Sequence, residues 1–309
     1  MSSTPAIDIR SGAPIGNDRS RARDPATRMH GEDALSYLDD LFGVRGKTAL
    51  VTGGATGIGR MIAEALAQGG ARVLIASRKG ADCEAAADEI NAMGVAGSVE
   101  GFAGDVGSEG GCELLAQEVA KRTDKLHILF NNAGVAWAAK DFDTFPYAAW
   151  DKVFRVNVAG AYELTRQLLP LLENAATDAD PARVISLGSV MGHWPIGDGS
   201  YSYSASKAAV HQMTKILAKE CASRRITFNA FAPGPFPSRM TAFATGTEEK
   251  QEAVGQDIPL GRVGRAQDMA GAALFLCSRA GAYVTGCILP LDGGIGVMTG
   301  GDLWEKGRD

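Results

Sequence analysis

A tyrosine and a lysine four residues apart, Tyr203 and Lys207, have the residue types and the spacing for proton chemistry. Side chains four apart lie on one face of a helix, which places the ammonium beside the phenol. A phenol has a pKa of about 10, and a neighbouring cation favours its deprotonated form. Fourteen residues before the tyrosine, a buried-strand pattern over residues 184–190 contains the hydroxyl of Ser189. Because Tyr–Lys pairs at this spacing are common in helices, the prediction of an active site depends on a second motif.

That second motif is a glycine-rich turn near the start of the chain. It spans residues 51–60, follows a strand pattern over residues 47–51 and precedes a helix pattern over residues 61–67. Glycines at such a turn let the backbone approach a pyrophosphate, and the helix N-terminus supplies amide donors and a partial positive charge. The turn lacks the Gly-Lys-Ser/Thr ending of a P-loop. It therefore predicts dinucleotide binding, with a plain βα connection as the alternative, and its glycines are Gly53, Gly57 and Gly59.

These motifs, together with others in the same order along the chain, resemble the short-chain dehydrogenase/reductase family. The resemblance covers roughly residues 43–296. Its elements are Thr52-Gly-x-x-x-Gly-Ile-Gly59, Asn131-Asn-Ala-Gly134, Asn157, Ser189, Tyr203-x-x-x-Lys207, Pro233-Gly234 and Asp292-Gly-Gly294. More narrowly, residues 186–190, His211-Gln212 and residues 232–240 resemble NADPH-dependent 3-oxoacyl reductases associated with rhamnolipid synthesis.

The resemblance implies a fold, a reaction and a set of catalytic residues. The implied fold is α/β, a single Rossmann-type doubly wound parallel sheet with helices on both faces, and the implied assembly is a homotetramer. The implied reaction is hydride transfer between a nicotinamide and a carbonyl or secondary alcohol. In that reaction Tyr203 gives or takes the proton, and Lys207 lowers the Tyr203 pKa and holds the ribose. Ser189 bonds the carbonyl oxygen, and Asn157 orders a proton-relay water.

The implied cofactor site extends over several strand ends. Its residues are Gly53, Thr56, Gly57, Ile58, Gly59, Ser77, Arg78, Lys79, Asp105, Val106, Asn132, Ala133, Gly134, Tyr203, Lys207, Pro233, Gly234, Phe236 and Ser238. Asp105 resembles the acceptor for the adenine amino group, and a helix N-cap is its alternative role.

The predicted preference between NADP(H) and NAD(H) depends mainly on one arginine. The strand pattern over residues 72–77 is followed by Arg78 and Lys79, where NAD-specific members carry an acidic residue. A guanidinium there suits a ribose 2′-phosphate, although a solvated basic turn is the alternative. Many NADP-dependent members also have a basic residue at the position of Thr56. The sequence therefore predicts that NADP(H) is preferred and that NAD(H) is possible.

The remaining sequence predicts how the chain is organised. Residues 1–43 are expected to form an N-terminal extension, largely disordered, with a short helix near its end, and no secretory signal is expected there. Residues 44–309 alternate strand and helix patterns, which predicts one domain with a parallel sheet. The proline-rich residues 233–237 are expected to form a rigid elbow at a strand end, in neither a helix nor a central strand, and residues 239–257 a mobile substrate lid. The third strand is expected to end at residues 104–106, and the sixth to span residues 226–231. His127 is expected to be a packed structural residue.

Composition excludes several classes of function. The 309 residues are 45% hydrophobic and 22% charged, which predicts a full core and a polar surface. The net charge of −5 argues against a nucleic-acid partner. No apolar run approaches the roughly 20 residues of a membrane span. The five scattered cysteines predict reduced thiols in a cytoplasmic protein, and no clustered side chains suggest a metal.

The sequence leaves the substrate open. A 3-oxoacyl reductase is the first candidate, and an alcohol, steroid or aromatic-substrate dehydrogenase of the same fold is the second. A non-catalytic, cofactor-sensing protein on this scaffold is less favoured, because all four catalytic positions are filled. An apolar pocket is expected from Trp137, Met191, Trp194, Phe236 and Met240, with packing at a subunit contact as the alternative.

Overall fold

The structure, a computed structural model, describes residues 31–195 and 199–298, with side chains from residue 37 onward. The chain divides into two compact units, Met1–Tyr37 and Leu38–Asp309. Most of the predicted disordered extension lies outside the described residues. The short helix expected near its end is present as Gly31–Phe42 (α1). Within the described residues, no helix has the length and apolar character needed to cross a bilayer.

Seven parallel strands form one sheet, in the order β3-β2-β1-β4-β5-β6-β7. The strands are β1 Thr48–Thr52, β2 Arg72–Ser77, β3 Ser98–Ala103, β4 Ile128–Asn131, β5 Ala182–Leu187, β6 Ile226–Pro233 and β7 Ile288–Leu291. The order reverses between β1 and β4, and a doubly wound sheet opens a crevice at such a point, outside the carboxyl ends of the strands. The predicted fold class is confirmed.

The helices that connect these strands follow the predicted alternation. They are α2 Gly57–Gln68, α3 Gly80–Ala92, α4 Glu109–Ala120, α5 Ala148–Phe154, α6 Ala161–Ala175, α7 Tyr201–Cys221, α8 Ala242–Thr245, α9 Glu248–Gln256 and α10 Ala266–Cys277. A π-helical segment, Arg155–Gly160, joins α5 to α6. The residues expected to form a substrate lid contain α8 and α9.

The sheet separates two hydrophobic cores. Successive strand residues point to opposite faces, so Leu50 and Val51 of β1 belong to different cores. Apolar residues of α2, α3 and α10 cover one face, and apolar residues of α4, α6 and α7 cover the other. Near-continuous apolar strands are typical of a parallel sheet buried on both faces.

Two element boundaries differ from the sequence prediction. β6 extends to Pro233, which pairs with Leu291, two residues beyond the predicted end at residue 231. A proline is tolerated at this position because the strand ends there and needs no further amide donor. The third strand ends at Ala103, before the predicted residues 104–106.

Two buried cations lie at the end of the sheet opposite the strand carboxyl ends. Lys47, just before β1, and Arg183, in β5, both contact Asp180. Lys47 Nζ also donates to the Cys277 carbonyl, and the Arg183 guanidinium donates to the carbonyls of Leu276 and Ser278. The two cations therefore satisfy carbonyls at the C-terminus of α10, where the helix dipole also favours positive charge.

His127 takes part in joining the strands at the same end. Its Nδ1 accepts a hydrogen bond from the Thr48 amide at 3.0 Å, and burial is the main cause that lowers its pKa. The histidine is thus a structural residue, as predicted.

Candidate active site

The four predicted catalytic residues come from three neighbouring elements. Ser189 follows β5, Tyr203 and Lys207 lie in the first two turns of α7, and Asn157 lies in the π-helical segment. The carboxyl ends of parallel strands share one edge of the sheet, so these elements meet beside the crevice. Lys207 Nζ lies 5.4 Å from the centre of the Tyr203 ring.

Lys207 is a buried ammonium with one backbone partner. Its side chain is 5% exposed, and its Nζ donates to the Leu187 carbonyl, at the end of β5, at 2.5 Å. Removal from water disfavours the charged form, and this burial lowers the Lys207 pKa to about 8. The lysine is therefore a cation that can be discharged slightly above neutral pH.

Tyr203 keeps its proton in this arrangement of side chains. Burial raises its pKa above the ordinary value, and a hydrogen bond with the Ser189 hydroxyl opposes that effect without cancelling it. The Tyr203 pKa is thus raised overall, and the expected lowering of this pKa by Lys207 stays a prediction. The largest cause of the raised pKa is burial, which removes water from the phenolate. A protonated phenol is a proton donor.

Ser189 is held at both its side chain and its amide. It begins a 3₁₀ turn, Val190–Gly192, and its hydroxyl oxygen accepts a hydrogen bond from the Met191 amide at 3.2 Å. Its own amide points to His211 Nε2 at 3.5 Å. β5 ends two residues before the serine, so a short turn rather than the strand presents the hydroxyl.

The Asn157 side chain makes hydrogen bonds both to the loop after β4 and to α7. Its Oδ1 accepts from the Val135 amide at 2.8 Å, and its Nδ2 donates to the Val135 carbonyl and to Ser206 Oγ, both at 3.0 Å. Ser206 Oγ in turn donates to the Tyr203 carbonyl. Both amide donors are thus occupied by protein atoms. The water that Asn157 was expected to order stays a prediction, and the observed role is to tie the loop after β4 to α7.

The glycine-rich turn is joined to the loop after β4 at the switch point of the sheet. Thr52 Oγ1 accepts from the amides of Asn132 and Ala133, both at 3.0 Å. Asn132 Nδ2 donates to the carbonyls of Thr52 and Gly53. A Cβ at Gly59 would lie 2.4 Å from this Nδ2, so only glycine permits the contact. The predicted residues of the two motifs therefore lie together.

The N-terminus of α2 is open to an anion. Its N-cap, Thr56, makes no side-chain cap hydrogen bond, and the first turn of the helix has no acidic residue. Gly53 and Gly57 have positive φ, and a Cβ on Gly57 would lie 2.9 Å from the Ser238 side chain. Uncapped amides and a close backbone are the features that a pyrophosphate needs. The predicted residue Ser238 therefore lies over the turn, beside Gly57.

Other predicted cofactor residues surround the same crevice. Arg78 and Lys79 are exposed beyond the end of β2, and the Lys79 amide bonds Ser77 Oγ at 3.2 Å. Asp105 is exposed after β3 and accepts only from the Gly107 amide among the hydrogen bonds seen in the described chain. The alternative N-cap role of Asp105 is wrong, because the Ser108 side chain caps α4. The remaining predicted residues near strand ends are Val106, Gly134, Pro233 and Gly234.

The prediction for the Phe236 side chain is wrong. The residue is 2% exposed, and its ring packs so closely on Gly264 that a Cβ there would lie 2.3 Å away. The ring belongs to the core that contains α2 and α10. Phe236 therefore does not line a substrate pocket, and only its backbone remains beside the crevice.

The other predicted pocket residues are partly exposed near the catalytic edge. Trp137 follows β4, Met191 and Trp194 follow β5, and Met240 follows β6. Lys152 Nζ lies over the Trp137 ring at 5.3 Å. Trp194 Nε1 would be 2.7 Å from a Cβ at Gly296, so the indole packs on the loop after β7.

Sequence reasoning missed two residues of the site. Ser206 accepts the hydrogen bond that joins Asn157 to α7, and Arg239 pairs with Asp82 of α3 at 3.5 Å. Arg239 directly follows Ser238, which lies over the glycine-rich turn. Its ion pair with Asp82 is made to α3, the helix that follows Arg78. Neither role has a sequence signal, because each depends on a contact between segments far apart in the chain.

Comparisons with known proteins cover most of this chain. A family model described as enoyl-(acyl carrier protein) reductase matches residues 53–296. A rhamnolipids biosynthesis 3-oxoacyl-[acyl-carrier-protein] reductase of Pseudomonas aeruginosa is 44% identical, over 82% of this chain and 97% of its own. The short-chain dehydrogenase/reductase PhomF of Diaporthe leptostromiformis is 35% identical, over 82% of this chain and 93% of its own.

A solved structure agrees with these sequence matches. The Pseudomonas aeruginosa RhlG/NADP active-site complex has a TM-score of 0.79 and 42% identity, and the match covers 83% of this chain and 99% of that one. The matches span the sheet, the glycine-rich turn and the Tyr–Lys helix. The chain therefore belongs to the short-chain dehydrogenase/reductase family of oxidoreductases.

Proposed function

We propose that this protein is an NADPH-preferring carbonyl reductase that acts on 3-oxoacyl thioesters. The observation that carries the reaction is the protonated Tyr203 phenol beside the Ser189 hydroxyl, with the Lys207 ammonium one turn further along α7. In reduction the forming alkoxide must be protonated, and the retained phenol proton is available for that step. The names of the relatives described above include a 3-oxoacyl substrate and NADP, and this likeness supports both parts of the proposal.

The crevice fits a nicotinamide dinucleotide on structural grounds. The uncapped N-terminus of α2 and the positive-φ glycines suit its pyrophosphate, and Ser238 lies over the same turn. Arg78 and Lys79 supply positive charge where a ribose 2′-phosphate would lie, and Asp105 offers an exposed carboxylate for an adenine amino group. The bound cofactor supplies the hydride, and the protein positions the reactants and transfers the proton.

Each catalytic side chain has a separate task in this proposal. Ser189 Oγ donates a hydrogen bond to the substrate carbonyl oxygen, while its lone pair already accepts from the Met191 amide. Tyr203 gives its phenol proton to the same oxygen. Lys207, held by the Leu187 carbonyl, uses its remaining N–H donors for the ribose hydroxyls and stabilises the phenolate left behind. Asn157 keeps the loop after β4 fixed against α7.

A substrate panel tests the proposed reaction. We expect NADPH-dependent reduction of 3-oxoacyl thioesters, on coenzyme A or on an acyl carrier protein, to have at least about tenfold higher kcat/KM than reduction of steroid, aromatic or sugar ketones. The apolar side chains of Trp137, Met191, Trp194 and Met240 beside the catalytic edge support an acyl chain. A steroid or aromatic ketone as the best substrate would instead favour the second candidate, and no turnover of any carbonyl would contradict a reductase.

Arg78→Ala is expected to weaken NADPH binding about ten- to a hundredfold and to leave NADH binding nearly unchanged. A charge-assisted hydrogen bond contributes about 1.5–3 kcal/mol, and only NADPH has the 2′-phosphate. Dissociation constants measured by cofactor fluorescence test this. Arg72→Ala is the matched control, because this exposed arginine starts the same strand at its opposite end. Equal affinity of the wild type for both cofactors would contradict the NADPH preference.

Reduction is expected to slow above about pH 8. The Lys207 pKa is lowered to about 8 by burial, so its ammonium loses a proton in that range, whereas the raised Tyr203 pKa keeps the phenol protonated. The measurement is kcat/KM for NADPH between about pH 6 and pH 9.5, which reports groups of the free enzyme. A profile that stays flat to the upper limit would show that the Lys207 charge is not needed.

We also propose that the protein is a cytoplasmic homotetramer. Exposed apolar side chains on the helices around residues 150–172 and 203–221, among them Tyr162 and Ile216, support subunit contacts there. A shallow concavity on the same helices is lined in part by Phe154, Val158 and Met213. A monomeric mass by sedimentation equilibrium would contradict the assembly, and cell fractionation tests the location.

A further inference from the structure

His211 is a buried histidine on the catalytic helix to which the proposed reaction assigns no role. It lies one turn after Lys207 and two turns after Tyr203 on α7, so it shares their face of the helix. The residue is only 3% exposed. A histidine of this kind can be a simple packing residue, and its surroundings decide whether it has a further task.

The turn that carries Ser189 is built around the His211 ring. A Cβ at Gly188 would lie 2.2 Å from His211 Nε2, and a Cβ at Gly192 would lie 2.6 Å from its Cε1. Both distances are far below an ordinary carbon contact, so the two glycines are needed to leave room for the imidazole. Since they bracket Ser189 in sequence, the ring lies directly behind the turn that presents its hydroxyl.

The ring also makes a directional contact with Ser189. The Ser189 amide donates to His211 Nε2 at 3.5 Å, at the long limit of a hydrogen bond. Burial is the main cause that lowers the His211 pKa to about 4, and the charges of His193, Lys207 and Lys215 lower it further. The imidazole is therefore neutral near neutral pH. Its Nε2 accepts a hydrogen bond from the Ser189 amide, so the ring proton is on Nδ1.

The second ring nitrogen of His211 differs from Nε2 in its surroundings. Within residues 31–195 and 199–298, His211 Nδ1 is buried without a hydrogen-bond partner. The exposed His193 ring stacks on His211, with centroids 4.3 Å apart and planes inclined by 31°. A buried donor without a partner is costly, and a pure packing role would be served better by an apolar side chain. Among the residues that the structure describes, the polar contact of the imidazole is with Ser189, and this contact is its distinguishing feature.

We propose that His211 is a positioning residue for Ser189. Its Nε2 anchors the Ser189 amide, and its ring supports the 188–192 turn, so that the Ser189 hydroxyl is directed at the substrate oxygen beside Tyr203. This inference rests on the proposed function of Ser189. It predicts that changes at His211 act on turnover through the serine and leave cofactor binding unchanged.

The test compares two substitutions of similar size. His211→Gln retains an acceptor at about the distance of Nε2, whereas His211→Leu fills the space but leaves the Ser189 amide without an acceptor. We expect His211→Leu to lower kcat about tenfold, and His211→Gln to restore it to within about threefold of wild type. NADPH affinity and the melting temperature are measured for each variant. If His211→Leu does not fold, His211→Asn replaces it, because its shorter side chain does not reach the amide.

A double-mutant cycle with Ser189→Ala decides whether the effect passes through the serine. If it does, His211→Leu lowers the residual kcat of Ser189→Ala by less than about twofold, because the hydroxyl to be positioned is already missing. The same tenfold loss in both backgrounds would overturn the proposal, as would wild-type kcat in His211→Leu.

A second readout does not depend on turnover. The tautomer of His211, obtained from long-range ¹⁵N–¹H correlation of the ring nitrogens, is expected to be the form protonated at Nδ1. A proton on Nε2 would exclude the contact with the Ser189 amide and would overturn the proposal in the same way. If the wild type reduced no carbonyl but showed the expected tautomer, the proposed reaction would fail while the contact stood, so the two failures are distinguishable.

Discussion

Tyr203→Phe is expected to lower kcat for carbonyl reduction by about a thousandfold. The substitution removes only the phenol oxygen, which is the proposed proton donor, and a positioned general acid contributes typically 10²–10⁴-fold. NADPH affinity should change little, because Lys207 and the crevice remain. The melting temperature should change little, since the substitution keeps the ring and removes a single oxygen atom. Steady-state kinetics, a binding titration and thermal unfolding measure the three quantities.

Tyr201→Phe is the matched control for this experiment. Tyr201 begins the same helix two residues earlier, and its ring contacts Phe142 and Phe145 edge-on at 5.7 Å and 5.2 Å. The control therefore removes a phenol oxygen from the same helix while keeping the aromatic packing. It should retain nearly full turnover. Turnover of Tyr203→Phe within about tenfold of wild type would exclude Tyr203 as the acid.

Arg183→Met is expected to lower the free energy of unfolding by about 3–5 kcal/mol. The arginine is fully buried, and its guanidinium donates to the Leu276 and Ser278 carbonyls and pairs with Asp180. Its removal leaves the buried carbonyls of Leu276 and Ser278 without this donor, while Asp180 keeps Lys47 as a partner. A buried polar group that loses its partner costs about 1–3 kcal/mol, and at least two such groups are affected. Urea unfolding measures the change. Turnover of the folded enzyme should persist, because Arg183 and Ser189 are six positions apart along extended chain, which is about 20 Å.

Arg224→Met is the control for Arg183→Met. Its guanidinium pairs with Glu173 at 2.9 Å, but both side chains are about half exposed. Exposed pairs contribute about 0–1 kcal/mol, because water screens the charges and both side chains lose freedom on pairing. A similar loss of stability in the two variants would show that burial and the carbonyls of α10 do not decide the effect of Arg183.

The order of strands and helices could be predicted because its signals are local. Apolar runs, glycine turns and helical periodicity each extend over about a dozen residues, and they indicated the seven strands and the helices that connect them. The spacing of Tyr203 and Lys207 likewise requires only that α7 is a helix. The glycine-rich turn needs only a strand before it and a helix after it. These features do not depend on which distant segment packs against them.

Burial could not be predicted in the same way. The sequence suggested that Lys207 lowers the Tyr203 pKa. The pKa is raised overall, because the fold removes water from the phenol, and the sequence does not show how far that burial goes. Phe236 was expected in a pocket, yet it lies under Gly264, a residue of a different segment. In both cases the sequence singled out the residue but did not show how deeply its side chain is buried.

The sequence by itself determined the elements, the residue types at the catalytic edge and the family. The tertiary structure decided which side chains those residues contact: Asn157 with Val135 and Ser206, Arg239 with Asp82, and His211 with Ser189. The physical reason is that desolvation and hydrogen bonding depend on segments brought together by the sheet order, and no local pattern in the chain records that proximity.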